Sequence, residues 1–228
     1  MTLVLLPGFM CDARLFAPQI DALRGQCQVM PLTPVAPSMD EMVAAVLEAA
    51  PTRFALAGLS MGGIVALTLM ARAPERVERL ALIDTTPRAD APANHAIRTG
   101  QIKAVADGAL RQVVREELKP NYLADAPGQP EVLDLCLAMA VALGPEVFAA
   151  QSLALRDRAS QEAVLPQITV PSLVMCGAQD ALCPPALHRE MAETIPGARL
   201  EIIEGAGHLP TLEQPGAVSR ALTTWLEA

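Results

Sequence analysis

Short runs of apolar residues alternate along the chain with longer segments whose apolar residues recur at helical spacing. The strand-like runs cover 2–6, 28–32, 53–57, 80–83, 170–176 and 199–203. The helix-like segments cover 38–47, 61–72, 185–194 and 215–226. Short buried strands that alternate with helices are typical of a doubly wound, mostly parallel sheet. We therefore predict an α/β fold of this kind.

The alternation is interrupted once, between the fourth and fifth strand-like runs. Residues 87–167 contain no such run; they show Ala- and Leu-rich helical patterns separated by glycines and prolines. We predict a core built from 1–86 and 168–228, with a separable helical insertion at 87–167. The larger apolar residues of the insertion either line a pocket or pack helices together, and their spacing favours packing. These residues are Leu135, Leu137, Met139, Leu143 and Phe148.

Composition and charge exclude several classes of partner. Hydrophobic residues make up 52% of the chain and charged residues 18%, which indicates a globular protein and not a disordered one. The formal net charge is -8, and the Lys and Arg residues are scattered, so nucleic acid and anionic membrane surfaces are poor partners. We expect a small molecule as the partner instead.

The cysteines and the N-terminal residues indicate the cellular compartment of the protein. Five cysteines without a C-x-x-C pair argue against both a disulfide framework and a zinc site, and favour a reducing cytoplasm. The apolar residues 1–6 lack a basic region and end at Pro7-Gly8, so they predict a strand and not a signal peptide. No uninterrupted apolar stretch approaches the ~20 residues that span a bilayer. We expect a soluble, cytoplasmic protein without a bound metal or cofactor.

The strongest chemical signal is the motif Gly58-Leu59-Ser60-Met61-Gly62, which lies where a predicted strand meets a predicted helix. A serine on such a sharp turn needs a strained backbone to project its hydroxyl, and the residues two before and two after it must lack side chains. Glycine meets that requirement at both positions. The motif therefore predicts Ser60 as a nucleophile.

His208 is the best candidate for the base among the three histidines. It follows a predicted strand in the Gly-rich loop 205–207, at the sheet edge that also carries Ser60. His95 and His188 fall in helix-like segments, and we interpret them as structural, one in the insertion and one on the acidic surface.

The chain resembles the α/β-hydrolase fold family over essentially its whole length. Besides the serine motif, 3–9 (LVLLPGF) is similar to the family's oxyanion strand and loop, 173–180 (LVMCGAQD) to the segment that bears the catalytic acid, and 205–210 (GAGHLP) to the histidine loop. The order Ser60, Asp180, His208 agrees with that of the family. The resemblance implies a serine hydrolase with 87–167 as a helical cap over the sheet edge, and no cofactor.

Two features of the implied site leave alternatives. Asp84 also ends a predicted strand at the catalytic edge, and some members take their acid from that strand, although the Gly177-x-x-Asp180 pattern favours Asp180. The resemblance places the oxyanion-binding amides at Phe9 and Met61. The usual His-Gly of that loop is Pro7-Gly8 in this chain. The placement of the Phe9 amide therefore depends on whether this change shifts the loop. Cys11 lies nearby and is either a lining residue or a small hydrophobe.

The resemblance implies cleavage of a carboxylic ester or a related acyl compound through an acyl-enzyme on Ser60, carboxylesterase-like chemistry. An enol-lactone, thioester or carbon–carbon bond hydrolase is the enzymatic alternative, and a non-catalytic ligand-binding protein is the alternative from another class. An acidic substrate would require an arginine that points inward. The sequence alone leaves open whether Arg98, Arg111, Arg115 or Arg156 does so.

Overall fold

A parallel sheet of six strands forms the centre of the protein. The computed structural model describes residues 1–118, 122–124 and 129–228, apart from the side chain of Gln129. The strands are β1 Thr2–Leu6, β2 Gln28–Pro31, β3 Phe54–Leu59, β4 Val77–Ile83, β5 Ser172–Gly177 and β6 Arg199–Ile203. Their order across the sheet is β2-β1-β3-β4-β5-β6, and every neighbouring pair is parallel. The predicted doubly wound sheet is confirmed.

The helices pack on both faces of this sheet. Their bounds are α1 Ala17–Ala22, α2 Met39–Ala49, α3 Met61–Arg72, α4 Pro92–Ala104, α5 Leu110–Gln112, α6 Gln129–Arg156, α7 Pro185–Thr194, α8 Pro210–Glu213 and α9 Pro215–Glu227. Short 3-10 turns cover Ala13–Phe16, Pro74–Arg76 and Glu162–Gln167, and π-helical turns at Val105–Ala109 and Val113–Leu118 flank α5. The sequence patterns predicted α2, α3, α7 and α9, but not the six-residue α1.

Strand alternation divides the core into two clusters. On β1, Val4 and Leu6 face the cluster that holds α2 and α3, whereas Leu3 and Leu5 face the cluster that holds α9. All four side chains are fully buried. Because successive side chains of a strand point to opposite faces, a continuous apolar run is the pattern expected of a strand covered on both sides.

The helical segment between β4 and β5 packs onto the sheet edge. Across residues 84–171, in the parts that the structure describes, there is helix and no strand. A third apolar cluster joins Phe148 and Leu137 of α6 to Met10 in the loop after β1. The rings of Phe9 and Phe148 pack edge to face, with their centroids 5.1 Å apart. The predicted helical segment is confirmed, while the boundaries 87–167 of a separable cap stay a prediction.

The longest helix, α6, is two helical pieces joined at Gly144. That residue has non-helical backbone angles, φ 86° and ψ 176°, and Pro145 follows it. The stretch Pro130–Arg156 is long and apolar enough to cross a membrane by length and composition. In its most apolar window 28% of the residues are buried, and Leu137, Met139 and Phe148 of this helix pack in the apolar clusters.

Candidate active site

Ser60 lies on the turn between β3 and α3, where its backbone adopts φ 54° and ψ -115°. The flanking glycines are required by close packing. A Cβ on Gly58 would lie 2.2 Å from the carbonyl oxygen of Gly62, and a Cβ on Gly62 would lie 2.0 Å from that of Leu6. The strained serine is therefore held by a turn that admits only glycine at these two positions.

Three side chains from separate loops form one hydrogen-bonded chain. Oγ of Ser60 lies 2.9 Å from Nε2 of His208, and Nδ1 of His208 lies 2.9 Å from Oδ2 of Asp180. The two residues that position the serine are buried, with 4% of His208 and 3% of Asp180 exposed. The structure thus brings together the three residues that the sequence pattern selected.

The Asp180 carboxylate is fixed as an ionised acceptor. Burial alone would raise its pKa, but the hydrogen bond and charge of His208, with the backbone amide of Cys183, lower it below the usual value. Its other oxygen, Oδ1, accepts hydrogen bonds from the amides of Leu182 (2.8 Å) and Cys183 (3.0 Å). A carboxylate held this way keeps the proton of His208 on Nδ1 and leaves Nε2 free to accept from Ser60.

Cys183 gives this site the donor types of a metal centre. Candidate ligand atoms of Asp180, Cys183 and His208 lie within 4.8 Å of one another, which their sequence spacing did not reveal. The Asp180–His208 hydrogen bond already uses two of these atoms. The desolvation of the buried Cys183 thiol raises its pKa, so the thiolate form that binds metal is disfavoured.

The histidine loop is held at both ends. The amide of His208 donates to the carbonyl of Tyr122 at 2.7 Å. The carboxylate of Glu213 accepts from the amides of Gly207 and Leu209 at 3.0 Å and from Ala124 at 2.8 Å. The sequence patterns did not identify Glu213. The available signal was an acidic residue five positions after His208, close enough along the chain to accept hydrogen bonds from the amides of the histidine loop.

Asp84 lies at the end of the neighbouring strand but does not bond to His208. Its Oδ1 accepts from the amide of Gly177 at 2.9 Å, and its carboxyl group also interacts with that of Asp180. The side chain is completely buried, and that burial, with the negative charge of Asp180, raises its pKa well above the usual value. Within the described part of the chain, Asp180 is the carboxylate that contacts His208.

The proposed oxyanion amides lie beside Ser60. Met61 begins α3, and among the described residues neither its backbone amide nor that of Phe9 has a hydrogen-bond partner. A Cβ on Gly8 would lie 3.4 Å from Cβ of Ser60, so the loop after β1 runs close to the serine despite Pro7. Unpaired amides at this position are suited to an anion, which a helix N-terminus also favours.

A glutamine that the sequence did not reveal anchors the loop after β1. Gln151 of α6 is completely buried, and its Oε1 accepts from the amide of Met10 at 3.0 Å. Met10 has a φ of 55°, a conformation that non-glycine residues adopt at a cost. Helix α6 therefore helps to fix the backbone geometry of the loop after β1, besides covering that loop.

His188 supports the turn that carries Ser60 through hydrogen bonds of Thr85. Its Nε2 accepts from the amide of Thr85 at 3.1 Å, and the Thr85 hydroxyl donates to the carbonyl of Ser60 at 2.7 Å. Our placement of His188 on the surface is wrong, since the side chain is 0% exposed and its burial lowers its pKa to about 4. His188 and Met191 are the buried residues of α7.

A cavity of about 280 Å³ opens onto the hydroxyl of Ser60. Phe9, Cys11 and Leu155 contribute to its wall, as do the charged residues Arg98 and Arg158. Arg98 was one of the four arginines that the sequence left open, whereas no sequence pattern pointed to Arg158. The five larger apolar residues of the insertion lie in the packed clusters and not on this wall, as predicted.

Comparison with known proteins agrees with this geometry. A sequence model of the alpha/beta hydrolase family matches residues 3–221. A pimeloyl-acyl-carrier protein methyl ester esterase from Chromobacterium violaceum is 32% identical over 202 residues, which cover 86% of this chain and 79% of that protein.

Two solved structures resemble the whole chain. A thermophilic esterase from Thermogutta terrifontis, solved with malate bound, has a TM-score of 0.92 and 29% identity, covering 100% of this chain and 89% of its own. The enol-lactonase from Burkholderia xenovorans LB400 has a TM-score of 0.88 and 26% identity, covering 100% and 91%. Since the family model spans nearly the full length, the chain belongs to the alpha/beta hydrolase family.

Proposed function

We propose that the protein is a serine hydrolase that cleaves a carboxylic ester through an acyl-enzyme on Ser60. The observation that carries the proposal is the chain Ser60 Oγ, His208 Nε2, His208 Nδ1 and Asp180 Oδ2, with both hydrogen bonds at 2.9 Å. A base that contacts a nucleophile, and is itself oriented by a third group, is the arrangement that activates a hydroxyl.

The proposed reaction has two halves. In the first, Oγ of Ser60 attacks the ester carbonyl carbon while its proton moves to Nε2 of His208, and the amides of Phe9 and Met61 hold the oxyanion. The intermediate collapses, the ester C–O bond breaks, and the leaving alcohol takes the proton from His208. In the second half, a water molecule gives a proton to His208 while its oxygen attacks the acyl carbon. The bond between that carbon and Oγ of Ser60 then breaks, Oγ takes the proton from His208, and the acid is released. The reaction needs no metal or cofactor.

The relatives support an ester as substrate and keep one alternative open. The Chromobacterium violaceum and Thermogutta terrifontis proteins are named as esterases. The enol-lactonase of Burkholderia xenovorans favours a lactone as the second candidate, because a lactone is an internal ester and the same chemistry opens it. Thioester and carbon–carbon bond hydrolysis, and ligand binding without catalysis, stay alternatives.

Turnover of p-nitrophenyl acetate and butyrate tests the proposal. We expect hydrolysis by the wild type and loss of nearly all of it in Ser60→Ala, because the variant keeps the fold and lacks the nucleophile. Ser152→Ala is the matched control, since that buried serine lies on α6 and its hydroxyl has no hydrogen-bond partner among the described residues. A folded wild type without turnover of any ester or lactone would favour the ligand-binding alternative.

A further inference from the structure

The cavity in front of Ser60 carries a group of charged side chains on the wall that the inserted helices provide. Arg98 comes from α4, Arg158 follows α6, and Asp90 lies in the segment after β4; all three line the cavity. Charged side chains on the wall of a small, mostly apolar cavity are costly unless they are paired or bind a ligand.

Asp90 is the centre of this group. Nε of Arg98 donates to its Oδ2 at 2.6 Å, and the side-chain Nδ2 of Asn94 donates to its Oδ1 at 3.0 Å. Nη2 of Arg158 lies 3.3 Å from the same Oδ1. The Asp90 side chain is 2% exposed. The Asp90 carboxylate therefore forms ion pairs with two guanidinium groups, those of Arg98 and Arg158.

The two arginines differ in the donors that they have left. Nε of Arg158 donates to the carbonyl of Arg88 at 3.0 Å, and its Nη1 donates to that of Leu155 at 2.8 Å. Arg98 uses Nε for Asp90, and its two terminal nitrogens have no partner among the described residues. Arg98 is thus held by one edge of its guanidinium group and offers the other N–H groups to the cavity.

Two arginines and two acids line this cavity, so its wall carries no formal net charge, but among the described residues only Asp90 is paired with the arginines. Two guanidinium groups face the single carboxylate of Asp90, with side-chain exposures of only 19% for Arg98 and 9% for Arg158. Glu117 also lines the cavity, but it is exposed, and its carboxylate accepts from Gln101 at 3.0 Å. No ion pair joins Glu117 to either arginine within the described residues.

We propose that Arg98 binds a carboxylate carried by the substrate of Ser60, so that the enzyme prefers esters or lactones that bear a second, ionised carboxyl group. The inference rests on the proposed function. A planar guanidinium with two free terminal nitrogens matches a carboxylate in a two-point contact, and Asp90 fixes its orientation before the substrate arrives. The terminal N–H groups of Arg98 then gain acceptors, which the described residues do not provide.

The alternative is a purely structural role, in which Asp90 and the arginines tie the inserted helices to the core. That role would account for Arg158, whose donors reach two backbone carbonyls and Asp90. It leaves the terminal nitrogens of Arg98 unexplained. The two roles make different predictions about selectivity, because a structural tie affects charged and neutral esters alike.

The test compares matched substrates. Monomethyl succinate, glutarate and adipate are assayed beside the methyl esters of the corresponding amic acids, in which a neutral carboxamide replaces the carboxylate. We expect the wild type to favour the anionic ester at one chain length. In Arg98→Gln the ratio of kcat/KM for anionic over neutral ester falls by roughly 10- to 100-fold, and Arg98→Lys falls less. Arg111→Gln removes the same charge from an exposed position outside the cavity wall and leaves the ratio unchanged.

A binding readout separates this inference from the proposed function. Adipate, glutarate or succinate should raise the melting temperature of Ser60→Ala, and adding Arg98→Gln should abolish the rise. If the wild type hydrolyses esters through Ser60 but the ratio does not depend on Arg98, the inference is wrong and the proposed function stands. If no ester is hydrolysed, the rise in melting temperature with a dicarboxylate still tests whether Arg98 binds a carboxylate. The absence of that rise would overturn the inference.

Discussion

His208 donates from Nδ1 to Oδ2 of Asp180 across 2.9 Å, a hydrogen bond that joins the loops after β6 and β5. It fixes which nitrogen of the imidazole faces Ser60. Asp84, at the end of the next strand, is buried nearby and instead accepts from the amide of Gly177. The two carboxylates therefore differ in their partners, and we expect them to differ in their roles.

The first prediction concerns these two acids. Asp180→Asn should preserve the fold and lower kcat about 10⁴-fold, because the amide favours the wrong imidazole tautomer and does not stabilise the imidazolium. Asp84→Asn should cost far less, since its carboxamide oxygen still accepts from Gly177. Steady-state kinetics on p-nitrophenyl butyrate measure both. The assignment would be reversed if Asp180→Asn stayed within about tenfold of the wild type while Asp84→Asn showed the deep loss.

A second prediction concerns His188 and acid stability. Burial lowers the pKa of His188 to about 4 from 6.5, so the folded state binds fewer protons there than the unfolded state. Its contribution to stability is fully present above pH 6.5 and is lost as the pH falls toward 4, by roughly 3 kcal/mol. In His188→Gln the advantage of the wild type in unfolding free energy should shrink over this range. Urea titrations at pH 7 and pH 4.5 provide the measurement, and a pH-independent difference would count against the buried neutral imidazole.

The third prediction tests Gln151 as a positioning residue. Gln151→Leu removes the acceptor of the Met10 amide, so the oxyanion loop should shift and kcat should fall roughly ten- to hundredfold with a smaller change in KM. Ser152→Ala, at the next residue of the same helix and also buried, should leave both constants close to those of the wild type. Equal effects of the two substitutions would indicate general damage to α6 and not a role in the loop.

The fourth prediction concerns metal. Incubation with EDTA should leave ester hydrolysis unchanged, because the proposed nucleophile requires only His208 and Asp180. Cys183, Asp180 and His208 together have the donor atoms of a metal site, so the experiment distinguishes a metal-independent reaction from one that needs an ion there. Reversible loss of activity that zinc restores would show that the cluster binds a catalytic ion.

The sequence predicts the parts of the site that depend on local geometry. Gly58 and Gly62 identify Ser60 because backbone contacts at 2.2 and 2.0 Å exclude any side chain there. Asp180 and His208 follow strands at one sheet edge, and the parallel order places their loops together. These requirements are set by a few neighbouring residues, so a linear pattern contains them.

The residues that the sequence did not reveal depend on tertiary packing. Gln151 and Arg158 acquire their contacts from the way α6 crosses the loops after β1 and β4, and no spacing along the chain specifies that crossing. His188 was misplaced because the short helix α7 has few apolar residues to define its buried face. The separability of 87–167 stays a prediction. Because the ring of Phe148 packs against that of Phe9, removal of this segment would expose Phe9.

The most direct test of the central claim is identification of the serine that a fluorophosphonate labels. Only a hydroxyl activated by a base and facing an oxyanion site reacts quickly, so peptide mass spectrometry should find the adduct on Ser60 alone. His208→Gln should abolish rapid labelling, because Ser60 then lacks the acceptor that lies 2.9 Å from its hydroxyl. An adduct on Ser38 or Ser172, or none on the folded wild-type protein, would contradict Ser60 as the nucleophile.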